Sequence, residues 1–138
     1  MNIENASPPT PSASRSCLSF AQALSAGELD AAASCFARDG CLITPDATTI
    51  HGRDGIRGVL GQMVIRRTEI QVELSTAVGT GDVILVHQRW RISSGERKGA
   101  RIAQTLHPTL VLKLIEDTWK LAIAAPWGCN HRASDALG

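Results

Sequence analysis

The feature of this 138-residue chain that most restricts its fold is a change of hydrophobic period near Thr68. Before that point apolar residues recur every three or four positions, and after it every second position, so a helical half precedes a half built of strands. Cys17, Phe20, Ala21 and Leu24 mark a first helix over about 16–25, opened by Ser14 or Ser16 and broken at Ala26-Gly27. Leu29, Ala32, Ala33 and Phe36 mark a second, with Glu28 and Asp30 at its positive end and Asp39-Gly40 as its closing turn. The stretch Cys41–Ile50 reads as two short strands around a Pro45-Asp46 corner, because proline cannot donate to a ladder.

Ile56, Val59, Leu60 and Met63 then form a third helical face. It carries Gly55, Gly58 and Gly61, each costing about 1 kcal/mol relative to alanine. The spacing predicts close packing of these glycines against the sheet, with a ligand cradle as the alternative.

From Thr68 onward, Ile70, Val72, Leu74, Thr76 and Val78 alternate with polar residues, as in a half-buried antiparallel strand. Turns at Gly79–Asp82, Ser94–Gly99 and Glu116-Asp117 separate it from strands over Val83–Ser93, Arg101–Ile115 and Trp119–Ala125. Three helices followed by four long strands and a short hairpin define an α+β layer fold with the helices on one face. The length suits one domain, read as 16–128. Residues 1–15, rich in Pro and Ser with nothing to bury, are expected to be a flexible tail, and 129–138 a loose end.

Fourteen basic and thirteen acidic residues leave a net charge of +1, which argues against a nucleic-acid partner. No apolar run approaches the roughly 20 residues needed to span a bilayer, so no membrane role is expected. The amino terminus lacks the apolar segment of a secretory signal, and cytoplasmic residence with four reduced cysteines is the expectation. His51, His87, His107 and His131 fall at no metal-ligand spacing, and no phosphate or dinucleotide fingerprint is present, so neither metal nor cofactor is expected.

The runs Ala23–Pro45 and Ile50–Ile56 contain an Ala-Gly-Glu-Leu-Asp step between helices, a Phe-Ala-Arg-Asp segment and a Gly-Arg-Asp-Gly-Ile helix start. Over residues 17–127 the chain resembles the SnoaL-like, ketosteroid-isomerase-like branch of the nuclear transport factor two-like superfamily. The resemblance implies a cystatin-like cone of curved sheet closed by three helices, a pocket between them, and a homodimer formed through the sheet. Isomerases, polyketide cyclases, epoxide hydrolases, dehydratases and non-catalytic association domains share that architecture, so the fold alone selects no activity.

Ketosteroid isomerases use an Asp base, with a Tyr and a protonated Asp stabilising the enolate. Matched to that pattern, the base position holds Thr44, the Tyr position Phe20 and the second Asp position Leu110, and the chain has no tyrosine. The resemblance therefore implies a pocket lined by Phe20 and Thr44 but not that isomerase.

Other candidates come from the residues themselves. Asp46 is a displaced base if burial raises its pKa, or a turn former. His107 is the best titrating candidate, if a bulge at Pro108 turns it inward. Gln88, Trp90 and Gln104 share the inner face of their strands, and Trp127 stands at the rim. Gln88 and Trp90 require partners that either a polar ligand or water supplies, or a neighbour within the wall. Arg89, Arg91, Arg97, Lys98 and Arg101, with Glu69 and Glu73, form a solvated ladder or a dimer contact. The expected function is binding or acid–base conversion of a small apolar molecule, with a non-catalytic homodimeric association domain as the alternative.

Overall fold

The computed structural model describes residues 9–97 and 99–128. Helix α1 spans Pro9–Ala26, so it begins well before Ser16, and the expected tail 1–15 is helical from residue 9. The reason lies one turn upstream of Cys17. Proline suits the first helical position, and Ala13 is fully buried on the same stripe as Cys17, Phe20, Ala21 and Leu24. Residues 1–8 and the expected loose end 129–138 lie outside the described residues. At its far end α1 closes in a Schellman motif: Glu28 N–H donates to Ala23 C=O at 2.8 Å and Gly27 N–H to Leu24 C=O at 3.1 Å, with Gly27 at φ 76°.

Helix α2 covers only Leu29–Ser34, and Phe36 opens strand β1, Phe36–Ile43, instead of ending a helix. Asp39-Gly40 is thus strand, not turn. Strand β1 runs parallel to β7, Thr118–Ala125, with a register break between Phe36 and Cys41. There the backbones crowd so closely that a Cβ on Gly40 would lie 2.9 Å from Leu121 O and 3.0 Å from Ala37 O. The hairpin to β2, Thr49–His51, turns at Pro45-Asp46 as the sequence implies. Helix α3, Arg53–Ile65, follows. Its first residue reaches back, Arg53 Nε and Nη2 donating to Phe36 C=O at 2.9 and 2.6 Å.

Strands β3, Glu69–Thr80, and β4, Val83–Arg97, form a long hairpin. The expected single strand 101–115 is two, β5 (Ala100–Leu106) and β6 (Thr109–Ile115), interrupted at His107-Pro108. Both pair with the same edge of β4, β6 along Val83–His87 and β5 along Trp90–Arg97. The sheet order is β2-β1-β7-β6-β4-β3 with β5 beside β4, antiparallel except for β1 and β7. The α+β fold with helices packed on a curved sheet stands as expected.

Two bulges change which residues face inward. In β3 the register shifts between Val72 and Leu74, so Ser75 and Ala77 take the inward parity and Val78 turns out, 68% exposed. In β7 the shift opposite Val111 and Leu112 does the same: Leu121 and Ala124 are buried while Ile123 is exposed. The regular alternation expected for both strands therefore fails in mid-strand.

The core lies between the helices and the inner sheet face. Phe20, Phe36 and Trp90 are fully buried at its centre. The Phe20 and Phe36 rings meet edge to face at 5.4 Å, and the Phe20 and Trp90 rings are tilted at 6.2 Å. Leu24, Leu42, Ile56, Leu60, Val86, Leu110 and Leu121 fill the space around them.

Candidate functional site

Beyond that packed centre, β4 and β5 extend past the helices, and an open cleft of about 540 Å³ lies between α3 and this end of the sheet. The helix supplies Gly55, Gly58, Val59, Gln62 and Arg66, which recur at three- and four-residue steps and so share one face. Opposite stand Ile92, Ser94, Gln104 and Trp127. Thr68 and Met63, both buried, also line the cleft, and Pro45 contributes from the β1–β2 corner.

The glycines of α3 do not act alike. A Cβ on Gly55 would lie 2.8 Å from Ile50 Cγ2, so this position admits β2, whereas Gly61 faces Leu29 Cδ2 at an ordinary 3.8 Å. At Gly58 a Cβ would meet nothing within 4 Å, because that side of the helix faces the cleft. Close packing against the sheet, expected of all three, holds at Gly55 and at neither Gly58 nor Gly61.

Gln104 and Trp127 line the cleft as expected. Gln104 pairs with Ile92 across the β4–β5 ladder, which puts both on the inner parity. Phe20 does not line it, being sealed in the core. Gln88 and Trp90 satisfy each other within the wall: Trp90 Nε1–H donates to Gln88 Oε1 at 2.7 Å, and Gln88 Nε2 donates to Ser75 Oγ at 3.2 Å. The β3 bulge brings Ser75 to that partner.

Thr44 and Asp46 belong to the hairpin corner. Thr44 Oγ1 donates to the Asp46 carboxylate and accepts from Thr48 N–H at 3.1 Å, and Thr48 N–H also approaches Asp46 Oδ1 at 3.3 Å. Asp46 is exposed, and the hydrogen bonds from Thr44 and then Thr48 lower its pKa, the reverse of what a displaced base requires. His107 is exposed between half-buried Leu106 and buried Pro108. The alternation persists through the break, with Thr109 beside His87 on the outer side and Leu110 buried, so no bulge turns His107 inward. Neither expected catalytic residue lines the cleft.

A larger groove, about 680 Å³, lies at the other end of β4. Its charges offset one another, Arg38, Arg53, Lys113 and Lys120 against Asp39, Asp82 and Glu116, with Lys113 3.7 Å from Asp39. Ala37, Val83, Leu114 and Ile115 supply its apolar lining, and the charges surround them. Among the described residues no group of three or more His, Cys, Asp or Glu side chains is placed to hold a metal. Cys17, Cys35 and Cys41 are free thiols. Burial pushes the Cys17 thiol up to about 12. Burial also raises Cys35, against the opposing charge of Lys120. No described helix is long and apolar enough to cross a membrane.

Sequence reasoning missed Arg66, Gln62, Thr68 and Ser94. The signal was present: Gly55, Gly58, Gln62 and Arg66 form a second stripe on α3 beside the apolar one. It is legible only once the glycines are taken as an open face.

The fold recurs widely among solved structures. A candidate dehydratase of the NTF2-like family from Streptomyces avermitilis is 20% identical with a TM-score of 0.75, the match covering 86% of this chain and 98% of that one. A ketosteroid isomerase-like protein from Erwinia carotovora atroseptica is 15% identical at TM-score 0.73, covering 83% and 92%. An uncharacterised protein with a cystatin-like fold from Caulobacter vibrioides is 14% identical at 0.75, covering 92% and 94%. At such identities the likeness is one of fold. No functionally curated protein matches the chain. The model of the SnoaL-like domain matches residues 18–114, most of the two-layer body, and the chain therefore belongs to the SnoaL-like domain family.

Proposed function

We propose that the chain binds a small, largely apolar molecule in the cleft between α3 and the open end of the sheet, and that it does so as a binding protein. The observation that carries this reading is the cleft itself. About 540 Å³ of open space faces Val59, Met63, Ile92 and Trp127, beside a core whose centre is otherwise filled. Gly58 keeps the helix side clear at a cost in helix propensity. None of the described residues lining the cleft is His, Asp, Glu or Cys, which favours holding a ligand over moving its protons. Family members are typically small-molecule binding or isomerase-like proteins, in keeping with this reading.

The test is isothermal titration of a panel of hydrophobic carbonyl, lactone and epoxide compounds against the native chain and Gly58→Phe, whose ring would occupy the cleft. Binding by the native chain and its loss in a variant of unchanged circular dichroism is the expected outcome. A variant that binds as well as the native chain, or a panel of which no member binds, removes the proposal.

A second reading, self-association through the sheet, is favoured by one observation on the outer face. Val78, Leu85, Val111 and Ile123 are direct cross-strand neighbours over four adjacent strands, forming an apolar row. Val78 and Ile123 at its ends are exposed. Thr76, His87 and Thr109, aligned across the next outer positions, bound the row on one side, with the Glu73–Arg89 pair at 3.3 Å beyond them. A second copy laid against this face would cover the row. Sedimentation equilibrium should find a dimer that Val78→Lys with Ile123→Lys converts to monomer, and a monomeric native chain counts against it.

A further inference from the structure

The geometry points to a ligand class for this cleft: an apolar molecule bearing a single carboxylate, with that group set against Arg66. The assignment rests on the cleft being the binding site. Among the described residues Arg66 is the one charged side chain in its lining. The remaining polar residues there, Gln62, Thr68, Ser94 and Gln104, are neutral and can all donate. A single guanidinium matches a monoanion. A phosphate monoester, carrying a charge of about −1.5 to −2 at neutral pH, would leave charge unbalanced in a partly apolar site.

The last-turn carbonyls of α3 and the Asp46 carboxylate are already engaged. An anion beside the carboxyl end of a helix is opposed by free carbonyls, yet here the last turn is closed. Arg66 N–H donates to Gln62 C=O at 3.3 Å, Arg67 N–H to Val64 C=O at 2.9 Å and Thr68 N–H to Met63 C=O at 3.1 Å. The nearest acid in sequence to a lining residue on the hairpin side, Asp46, is held by Thr44 and Thr48. Glu69, next to buried Thr68, is itself exposed and faces a different groove. Arg101 is occupied with the carbonyls of Arg67 and Ser93. Among the described residues Arg66 makes no ion pair within 4.0 Å. Gly95 N–H, donating to Arg66 C=O at 2.9 Å, ties the Arg66 backbone to the β4–β5 hairpin.

A second, independent sign is Thr68. It is only 4% exposed, and its hydroxyl makes no hydrogen bond among the described residues. The other buried polar side chain, Gln88, is satisfied by Ser75 and Trp90. Buried hydroxyls are ordinarily paired, so an unpaired one lining a cleft marks where a ligand oxygen fits. With Arg66 and Gln62 on the helix side and Thr68 just beyond, the polar end lies near the C-terminus of α3. Val59, Ile92 and Trp127 would contact the apolar body.

The test compares 4-phenylbutyrate with 4-phenylbutyramide, equal in shape but differing in charge, by isothermal titration at neutral pH. The native chain should prefer the acid by about tenfold, as expected of a charge-assisted pair at a partly open site. In Arg66→Gln that preference should fall to about threefold or less. Since Arg66 is exposed, this variant should fold normally. In Thr68→Val both ligands should weaken together. Equal binding of acid and amide by the native chain, with both abolished in Gly58→Phe, overturns the carboxylate assignment and leaves the cleft as the site. Failure of both compounds to bind overturns the two together.

Discussion

Replacing glycines one at a time in α3 and β1 separates helix propensity from packing and reports directly on the openness of the cleft. At Gly58 the added methyl meets nothing within 4 Å, so Gly58→Ala should recover the full propensity difference, about 1 kcal/mol. With a melting entropy of about 2.1 cal/mol/K per residue, a 138-residue chain gains about 3 °C for each kcal/mol. Gly61→Ala should match it, because Leu29 Cδ2 at 3.8 Å is an ordinary contact. Gly55→Ala should not, since its methyl would stand 2.8 Å from Ile50 Cγ2 and β2 or the Ile50 rotamer has to yield, a cost of about 1–3 kcal/mol that cancels or exceeds the gain. Gly40→Ala meets backbone oxygens at 2.9 and 3.0 Å that cannot rotate away, and should lower the melting temperature by several degrees. Thermal melts followed by far-UV circular dichroism give all four values. A melting temperature for Gly58→Ala below that of the native chain, or an equal rise for Gly55→Ala, would refute the account of α3 and with it the open face of the cleft.

Three further outcomes follow from the same geometry. Asp46 has its pKa lowered below the usual 3.8 by Thr44 and Thr48, so its stabilising contribution is present above that value and is lost as pH falls through the folded pKa. Asp46→Asn should flatten the acid limb of a stability-versus-pH curve and leave ligand binding intact; loss of binding at neutral pH would restore a role in the site. Cys17, with its thiol pushed up to about 12 and fully buried, should resist a thiol-specific disulfide reagent at mildly alkaline pH until the chain unfolds, and rapid labelling in native buffer would contradict its burial. Gln88→Leu removes the acceptor of Trp90 Nε1–H and the partner of Ser75, and should cost about 1–3 kcal/mol in denaturant unfolding, whereas no change would show that the amide is not a wall element.

Much of the architecture was legible because hydrophobic period reports directly on which face is buried. Ile84, Val86, Gln88, Trp90 and Ile92 alternate without interruption and all are buried. The α3 stripe of Ile56, Leu60 and Met63 is buried as its spacing implies. Boundaries were harder where local and tertiary preferences compete. Phe36-Ala-Arg-Asp continues a helical pattern by side-chain spacing, but it is drawn into a strand by pairing with β7, a partner some 85 positions away. The Pro- and Ser-rich amino terminus gave no stripe long enough to register, although α1 extends over it and buries Ala13.

Side-chain direction past a bulge was illegible for a reason specific to sheets. Alternation encodes a face only while the ladder stays in register, and an extra residue leaves composition unchanged while exchanging the faces beyond it. Val78 and Ile123 read as inward residues and are outward ones, and the two bulges that turn them out sit in strands separated in the sheet by β4 and β6. Leu85 and Val111, on the strands between, carry apolar side chains at the matching outer positions. Were the bulges only a means of bending the sheet, the outward residues they create would be expected to be polar, as on the exposed face of any antiparallel sheet. That both are branched apolar residues aligned through two more is the strongest argument that the outer face is a contact surface. Deleting Glu73 would test it, because Leu74 would then follow Val72 directly with Val78 still opposite Leu85 on the outer face: the bend is removed and the row kept, so self-association should persist, and its loss would refute the row as the contact surface.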